Sequence, residues 1–248
     1  METENNIQKL YDKIKNARHC VALTGAGVST LSGIRDFRGK NGLYNEMDAE
    51  KIFDIQYFIK DPLFYYEKAG NFIYNIDEKE ASVVHRVLGD LEKLGFVKAV
   101  ITQNIDLLHQ KGGSEHVIEV HGSPCFHYCL RCSGIRMPFG EVAPIVRSGG
   151  APRCPKCGRV LKPAITFFGE NLPADALKEA TSEAQEADLM LVLGTSLTVN
   201  PAASLPLYTL RRGGEIVIVN NMSTPLDNMA ALRFDELEAV FTGLAKLT

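Results

Sequence analysis

The sequence predicts an α/β fold, in which a doubly wound parallel sheet carries a smaller inserted domain of helices and a metal-stapled module. Three observations predict it. Short apolar runs alternate with amphipathic helical segments over much of the chain. Small or polar residues directly follow five of the apolar runs. Two C-x-x-C pairs, separated by 21 residues, interrupt the alternation.

The composition limits the classes of protein and partner that fit this chain. The chain has 248 residues, of which 45% are apolar and 23% charged, as in a globular protein of one or two domains. Its net charge of −3 gives no overall attraction to nucleic acid or to an anionic membrane, so neither is an expected partner. No apolar run approaches the roughly 20 residues of a membrane span. The first residues lack the order of a signal peptide, and we expect a cytoplasmic protein.

The first half of the chain opens as helix, strand and glycine turn. Apolar residues recur at helical spacing from Ile7 to Ile14, and residues 20–23 form a short strand before Gly25-Ala26-Gly27. Residues 41–75 are irregular and aromatic, with short helices predicted near Asp61 and Pro62. A helix over 82–94, a strand over 96–102 and a strand over 117–120 follow.

The second half begins with a segment over 124–163 that is rich in Gly, Pro and Arg and has no strong periodicity. After it the pattern predicts strand 165–168, helix 174–187, strand 189–193, helix 202–211 and strand 216–219, all in one parallel sheet. The predicted large domain therefore comprises residues 1–40, 76–123 and 164–248. The helical insertion 41–75 and the module 124–163 form the small domain.

Polar residues at the strand ends indicate one site, because ligands of doubly wound sheets bind outside the carboxyl ends of the strands. We expect five clusters to converge there: Thr24-Gly25-Ala26-Gly27, Thr102-Gln103-Asn104-Ile105-Asp106, His121-Gly122, Gly194-Thr195-Ser196 and Asn220-Asn221.

The glycine turn is ambiguous by itself. Gly25 and Gly27 permit close approach to a pyrophosphate, but Thr30 occupies the third glycine position of G-x-G-x-x-G, and no acidic residue ends a second strand. A conventional NAD dehydrogenase is therefore disfavoured. Asp36-Phe37-Arg38 follows. In one interpretation, Arg38 binds phosphate and Phe37 shields a reactive centre. In the other, the tripeptide is an exposed loop held by a salt bridge between Asp36 and Arg38.

His121 is the histidine with a functional position. It ends a strand and precedes a glycine, which suits a general base near neutral pH. His19 and His116 fit surface or strand-edge positions, His85 fits a packing position in a helix, and His109 belongs to the helix after Asp106.

The cysteine pairs give the most specific signal from spacing. Four thiolates in two knuckles predict a closed, structural zinc ribbon, and an isolated redox pair is a poor alternative. The predicted ligands are Cys129, Cys132, Cys154 and Cys157. Basic residues around them raise a zinc-ribbon nucleic-acid-binding protein as an alternative, which the overall acidity disfavours. Cys125 and His127 have no assigned role.

These motifs together resemble the sirtuins, a family of NAD-dependent protein deacylases. The resemblance runs from about Thr24 to Phe234 through GAGVST, SGIRDFRG, TQNID, LHQKGGS, VIEVHG, the two C-x-x-C pairs, FFGENLP, GTSLTVNP and VIVNN. It implies a Rossmann-like domain that binds NAD as a consumed co-substrate, a structural zinc, and a compact catalytic core of the prokaryotic type.

The resemblance also implies the reaction and its residues. The acyl group of an acylated lysine is transferred to ADP-ribose, with release of nicotinamide, and His121 and Asn104 are the catalytic residues. The implied NAD-binding residues are Gly25, Ala26, Thr30, Asp36, Phe37, Arg38, Gln103, Asn104, Ile105, Asp106, His121, Gly194, Thr195, Ser196 and Asn220. The implied substrate-binding residues are Thr166, Phe168, Gly169, Glu170, Leu197 and Val199.

Departures from the family pattern bear on acyl preference. Arg35 stands where many members have proline, Ala164 replaces a commonly polar residue, and Thr166 stands where an aliphatic residue often lines the acyl-lysine tunnel. Tyr65-x-x-Lys68 replaces the Tyr-x-x-Arg of members that remove acidic acyl groups, which favours acetyl-lysine. Preference for other acyl groups and mono-ADP-ribosyl transfer are the enzymatic alternatives.

Overall fold

The computed structural model describes residues 2–36, 42 and 49–248. Phe37 and Arg38, two of the expected NAD-binding residues, lie outside the described residues. Within the described ranges, no helix combines the length and apolar character that crossing a membrane requires.

Helices and strands are numbered in chain order. The strands are β1 (Cys20–Thr24), β2 (Val97–Thr102), β3 (Val117–Glu119), β4 (Gly122–Tyr128), β5 (Arg136–Pro138), β6 (Lys162–Ile165), β7 (Leu189–Leu193), β8 (Glu215–Val219) and β9 (Leu232–Phe234). The α-helices are α1 (Glu2–Asn16), α2 (Ala49–Ile52), α3 (Ile55–Lys60), α4 (Pro62–Ile73), α5 (Val83–Lys93), α6 (Leu108–Lys111), α7 (Phe139–Arg147), α8 (Ala174–Glu186), α9 (Leu205–Arg211) and α10 (Leu237–Leu244).

The large sheet has the order β3-β2-β1-β7-β8-β9, and all its neighbouring strands are parallel. Helices α1, α5 and α10 cover one face, and α8 and α9 cover the other. Every residue of β1 and β7 is buried. Burial on both faces explains why these strands are continuous apolar runs, and the prediction of a doubly wound parallel sheet is confirmed.

The small sheet has the order β5-β4-β6, with both pairs antiparallel. The prediction that residues 165–168 form a strand of the parallel sheet is wrong. The strand is β6, which spans Lys162–Ile165 and pairs with β4. An apolar run specifies an extended chain but not its partner, and β4, which begins directly after His121, provides that partner.

The helical insertion and the cysteine segment share an apolar core. Phe53, Phe58, Tyr65 and Phe167 meet there in mostly edge-to-face contacts, with ring centroids 5.2–6.2 Å apart. Helix α7 buries residues in the same core, although its segment showed no clear periodicity. Pro144 lies inside this helix, and because proline is not expected in a helix interior, the sequence does not predict a helix here.

Two further differences concern the C-terminal part. The predicted helix 202–211 is a 3₁₀ turn, Ala202–Ser204, followed by α9, with Pro206 in the first turn of α9. Strand β9 and helix α10 extend the sheet domain beyond the last predicted strand.

Candidate active site

The carboxyl ends of the central strands lie at one level. Thr24 pairs with Thr102 on one side and with Leu193 on the other, and Leu193 pairs with Val219. The turns after β1, β2, β7 and β8 therefore start side by side at one edge of the sheet. This edge carries most of the predicted site residues.

The two glycine turns at this edge pack directly against each other. Gly25 N donates to Leu193 O at 3.0 Å, and Gly27 N donates to Gly194 O at 2.9 Å. A Cβ added at Gly27 would lie 2.7 Å from Gly194 Cα, and one added at Gly194, whose φ is +58°, would lie 2.6 Å from Val28 N. These glycines thus allow two backbones to touch, which is a packing requirement in addition to any approach to phosphate.

Beyond the contact, residues Ala26–Ser32 form a 3₁₀ helix. Ala26 is half-buried, and Thr30 is exposed with its hydroxyl donating to Gly27 O at 2.8 Å. Asp36 is half-buried and is the last described residue before the first internal gap.

Asn104 and Asp106 are joined through Ser29. The Asn104 amide donates to Gly25 O and to Ser29 Oγ, both at 3.1 Å, and Ser29 Oγ donates to Asp106 Oδ2 at 2.6 Å. Burial raises the pKa of Asp106, and the hydrogen bonds from Ser29 and from the Leu108 amide oppose that rise. All three side chains are buried, so the loop after β2 is locked to the turn after β1.

A second buried chain of hydrogen bonds supports the same loop. Thr24 Oγ1 donates to Thr102 Oγ1 at 2.8 Å, and Thr102 Oγ1 also accepts from Asn104 N at 3.0 Å. His109 Nε2 lies 2.8 Å from Thr24 Oγ1, and its ring centroid is 4.6 Å from that of buried His85. Burial lowers the pKa of His85 to about 4 and that of His109 well below its usual value, so both rings are neutral near pH 7.

His121 lies in the turn between β3 and β4 and is half-buried, and its ring is fixed through one nitrogen. Nδ1 is 2.9 Å from Gln103 O, so Nδ1 is the donor, because a carbonyl oxygen can only accept. Within the described part of the chain, Nε2 has no hydrogen-bond partner. Burial lowers the pKa of His121 below 6.5, which keeps the ring neutral near pH 7 and leaves the Nε2 lone pair free to take a proton.

Gln103 joins His121 to the turn after β7. Its side-chain amide donates to Thr195 Oγ1 at 2.9 Å, and Thr195 Oγ1 also accepts from Leu197 N at 3.3 Å. Leu197 is buried with φ +52°, a conformation that costs a non-glycine residue energy. Ser196 Oγ lies 2.9 Å from Thr198 Oγ1.

The outer residues of this edge are less enclosed. Val199 is half-buried, and Val199 O accepts from Ala203 N at 2.9 Å. Asn220 is buried after β8, where its amide donates to Met222 O at 2.8 Å. Ile105 is half-buried and packs against the core shared by the helical insertion.

The segment 166–170 joins three parts of the molecule. Thr166 N donates to His121 O at 2.8 Å, and Phe168 exchanges backbone hydrogen bonds with Phe53 and Ile55 at 2.7 and 3.1 Å. Phe168 and Gly169 are exposed. The Glu170 carboxylate points inward. It accepts a hydrogen bond from Phe167 N and forms an ion pair with the Lys162 ammonium, each at 2.8 Å. The predicted peptide-binding residues therefore begin next to His121 and end at the small sheet.

The four predicted cysteine ligands form one cluster. Their sulfurs all lie within 4.8 Å of one another, and Sγ of Cys129 and Cys157 are 3.6 Å apart. Tetrahedral zinc with bonds of about 2.3 Å places sulfurs about 3.8 Å apart, so the donor set fits Zn²⁺. Cys132 N donates to Cys129 Sγ at 3.3 Å, as in a metal knuckle. All four positions are cysteine, which leaves no open coordination position for water.

Sequence reasoning missed two supporting residues. One is Ser29, whose hydroxyl links Asn104 to Asp106. Lys162 was not selected, although its position between Leu161 and Pro163 in an apolar stretch is unusual for a lysine.

Comparison with known proteins decides the family. The family model described as the Sir2 family matches residues 25–201. The chain belongs to the Sir2 family. It is 44% identical to the NAD-dependent protein deacetylase of Thermotoga maritima, over 92% of each chain. It is 41% identical to the NAD-dependent protein deacylase 1 of Archaeoglobus fulgidus, over 90% of this chain and 89% of that one.

Solved structures of this family have the same fold. One is a Sir2 variant with a deacetylated p53 peptide and 3′-O-acetyl ADP-ribose, which has a TM-score of 0.92 and 42% identity, and covers 97% of this chain and 98% of that one. Another is Sir2Tm bound to a propionylated peptide, with a TM-score of 0.86 and 40% identity over 97% of this chain and 96% of that one.

Proposed function

We propose that this chain is an NAD-dependent protein-lysine deacetylase. The acetyl-lysine oxygen attacks C1′ of the nicotinamide ribose as the bond from C1′ to nicotinamide breaks. Water then completes the transfer, so that acetyl-lysine, NAD and water give free lysine, nicotinamide and O-acetyl-ADP-ribose. The relatives named as NAD-dependent deacetylases, over nine-tenths of both chains, support this activity.

The observation that carries the proposal is the state of His121. Its Nδ1 is bound to Gln103 O, its pKa is lowered by burial, and Nε2 is free within the described residues, so His121 is equipped to take a proton from a ribose hydroxyl. Asn104, held by Gly25 O and Ser29, has the second catalytic role.

We assign the NAD-binding residues to this same edge. The diphosphate and its ribose lie with Gly25, Ala26, Thr30, Asp36 and the undescribed Phe37 and Arg38. The adenosine side lies with Gly194, Thr195, Ser196 and Asn220. The nicotinamide ribose lies with Gln103, Asn104, Ile105, Asp106 and His121. Three lines of support are the alignment of the strand ends, the half-buried Ala26 and the exposed Thr30.

The acylated peptide binds along two segments in this proposal. They carry Thr166, Phe168, Gly169 and Glu170 on one side and Leu197 and Val199 on the other. The exposure of Phe168 and Gly169, in a segment that is bonded to His121 O through Thr166 N, supports this placement of the peptide. Neutral acyl groups are favoured because Tyr65 is buried in the aromatic core, whereas Lys68 is exposed beside Glu67.

The proposed large domain is residues 1–40, 76–123 and 164–248, with 41–75 and 124–163 as the small domain. In support, every strand of the parallel sheet falls in the first set of ranges. One structural zinc on the four cysteines stabilises the small domain. The unpaired cysteines fit a reducing compartment, and we place the protein in the cytoplasm.

Mass spectrometry of NAD incubated with the protein tests the function. We expect nicotinamide and O-acetyl-ADP-ribose only when an acetyl-lysine peptide is present, with the unacetylated peptide as control. ADP-ribose attached to protein would indicate mono-ADP-ribosyl transfer, and propionyl or longer acyl peptides test other acyl preferences. NADH formation, or no NAD turnover with any acylated peptide, would contradict the proposal.

A further inference from the structure

We propose that Lys162 and Glu170 form a positioning pair that holds the segment 166–169 in the shape that receives the acylated peptide. The inference rests on the proposed function and deepens it, because it names residues that control peptide binding and not NAD binding. Neither residue belongs to the strand-end cluster around His121.

Lys162 is a lysine with no access to solvent. Its ammonium group has three protons to donate, and it has three acceptors: Ile165 O at 2.7 Å, Glu170 Oε2 at 2.8 Å and Pro163 O at 3.2 Å. The ammonium also lies 4.1 Å from the centroid of the Phe167 ring. Burial lowers the pKa of Lys162, while Glu170 opposes that change and favours the charged form. The three ammonium protons of this buried lysine all have acceptors, so Lys162 holds the groups that it contacts in one arrangement.

Glu170 completes a closed turn. Its Oε2 accepts from Phe167 N at 2.8 Å as well as from Lys162, and Glu170 N donates to Phe167 O at 3.0 Å. Gly169 within this turn has φ +89°, and a Cβ there would lie 3.0 Å from Ile55 Cγ2. The carboxylate therefore fixes both ends of the turn. Through Lys162 it also ties the turn to β6, the strand that precedes the turn.

The exposed part of this turn is the part assigned to the peptide. Phe167 is buried in the aromatic core, whereas Phe168 has 43% of its surface exposed. Every side-chain hydrogen bond of Lys162 and Glu170 within the described residues stays inside 162–170. Loss of the pair should therefore disturb the peptide edge and leave the glycine turns of the NAD edge unchanged.

Steady-state kinetics of Glu170→Gln and Lys162→Met test the pair in the zinc-loaded full chain. We expect each variant to raise the peptide KM about tenfold, with kcat and the NAD KM within about twofold of wild type. The double variant should equal either single variant, because the two residues act as one unit. The matched control is Glu80→Gln, which removes an exposed carboxylate 2.8 Å from Lys111 and should change nothing.

Hydrogen exchange without NAD or peptide provides a readout that needs no catalysis. We expect faster exchange at residues 166–170 in Glu170→Gln, and unchanged exchange in β1 and β7. Unchanged peptide KM in both variants, or equal rises in the peptide and NAD KM, would overturn the inference. If the wild type itself turns over no NAD with acylated peptide, the proposed function fails, and the exchange result alone then decides whether the pair holds the turn.

Discussion

The strand-end edge and the cysteine module position their groups by different physical means. At the edge, buried strands β1 and β7 and two touching glycine turns fix Asn104 and His121 through neutral hydrogen bonds. In the module, β5 and part of β4 pack around four cysteines and a small apolar cluster with one fully buried leucine, Leu161. Packing organises the first region, and we expect ligand bonds to zinc to organise the second.

This difference means that the two regions should fail separately. Removing metal should affect the module and, through β6, the peptide edge, whereas it should leave the parallel sheet intact. Changes in the glycine turns or in the buried histidines should do the reverse.

Metal removal should have the largest effect. Structural zinc in small modules contributes about 10 kcal/mol or more to folding, so chelation should unfold the two segments around the cysteines, residues 129–137 and 151–161, and spare α7 in the aromatic core. Hydrogen exchange should increase there while β1, β2 and β7 stay protected. Cys154→Ser should reproduce the result, and Cys125→Ser, at an exposed cysteine outside the cluster, should not. Equal loss of protection in both sheets would show that the regions are not separable.

His121→Ala should have the next largest effect, confined to chemistry. Loss of a general base lowers kcat by about 10²- to 10⁴-fold. The thermal unfolding midpoint and the zinc content should match the wild type, because the ring makes a single hydrogen bond among the described residues, to Gln103 O. A variant that kept a tenth of the wild-type kcat would remove His121 from the mechanism.

The wild-type pH profile gives a related check on the same residue. Since burial lowers the pKa of His121, kcat/KM should be retained below pH 6.5 before it falls.

Gly27→Ala should test the packing of the edge. The new Cβ would lie 2.7 Å from Gly194 Cα, a backbone atom that cannot easily move, so we expect a loss of about 3 kcal/mol in the free energy of unfolding and weaker NAD binding. Gly140→Ala is the control, because a Cβ in that helical position has open space. Urea unfolding and NAD titration measure both effects, and a neutral Gly27→Ala would show that the turns can separate at little cost.

A pH effect from His85 should be the smallest. Its folded pKa is about 4, below the unfolded value near 6.5, so the unfolded state binds more protons and stability falls as pH drops below 6.5. The expected contribution is about 2 kcal/mol at pH 5. His85→Gln should flatten urea-derived stability between pH 7 and 5. His116, whose pKa is raised beside Glu179, should have the opposite sign, so His116→Gln should steepen the same loss. An unchanged slope in His85→Gln would contradict the assignment.

Sequence reasoning predicted the large sheet because its strands are buried on both faces and therefore read as apolar runs. It also predicted the four cysteines, because their spacing is a property of the knuckles themselves. Strand β6 was assigned to the wrong sheet because its partner, β4, is chosen by tertiary contacts that leave no local pattern.

The sequence predicts which strand ends carry the candidate site, but it does not predict the contacts between the side chains there. The clusters after the strands could be found, since doubly wound sheets place ligands there. That Ser29 links Asn104 to Asp106 could not be found, because residues 75 or more positions apart in sequence make these hydrogen bonds. Lys162 was missed although its carboxylate partner, Glu170, is close in sequence, because the turn that brings the two side chains together leaves no local pattern.

The chain passes between the two sheets at two places that lie side by side. It leaves the parallel sheet at His121 and enters β4 at Gly122, and it returns through Ile165, which pairs with Gly122. A Cβ at Gly122 would lie 2.3 Å from Ala164 O. The cysteine module therefore has adjacent entry and exit points, as an inserted domain does. Loops of the module away from the cysteines could therefore change in length without displacing the parallel sheet, whereas a side chain at the crossing would clash with the returning strand.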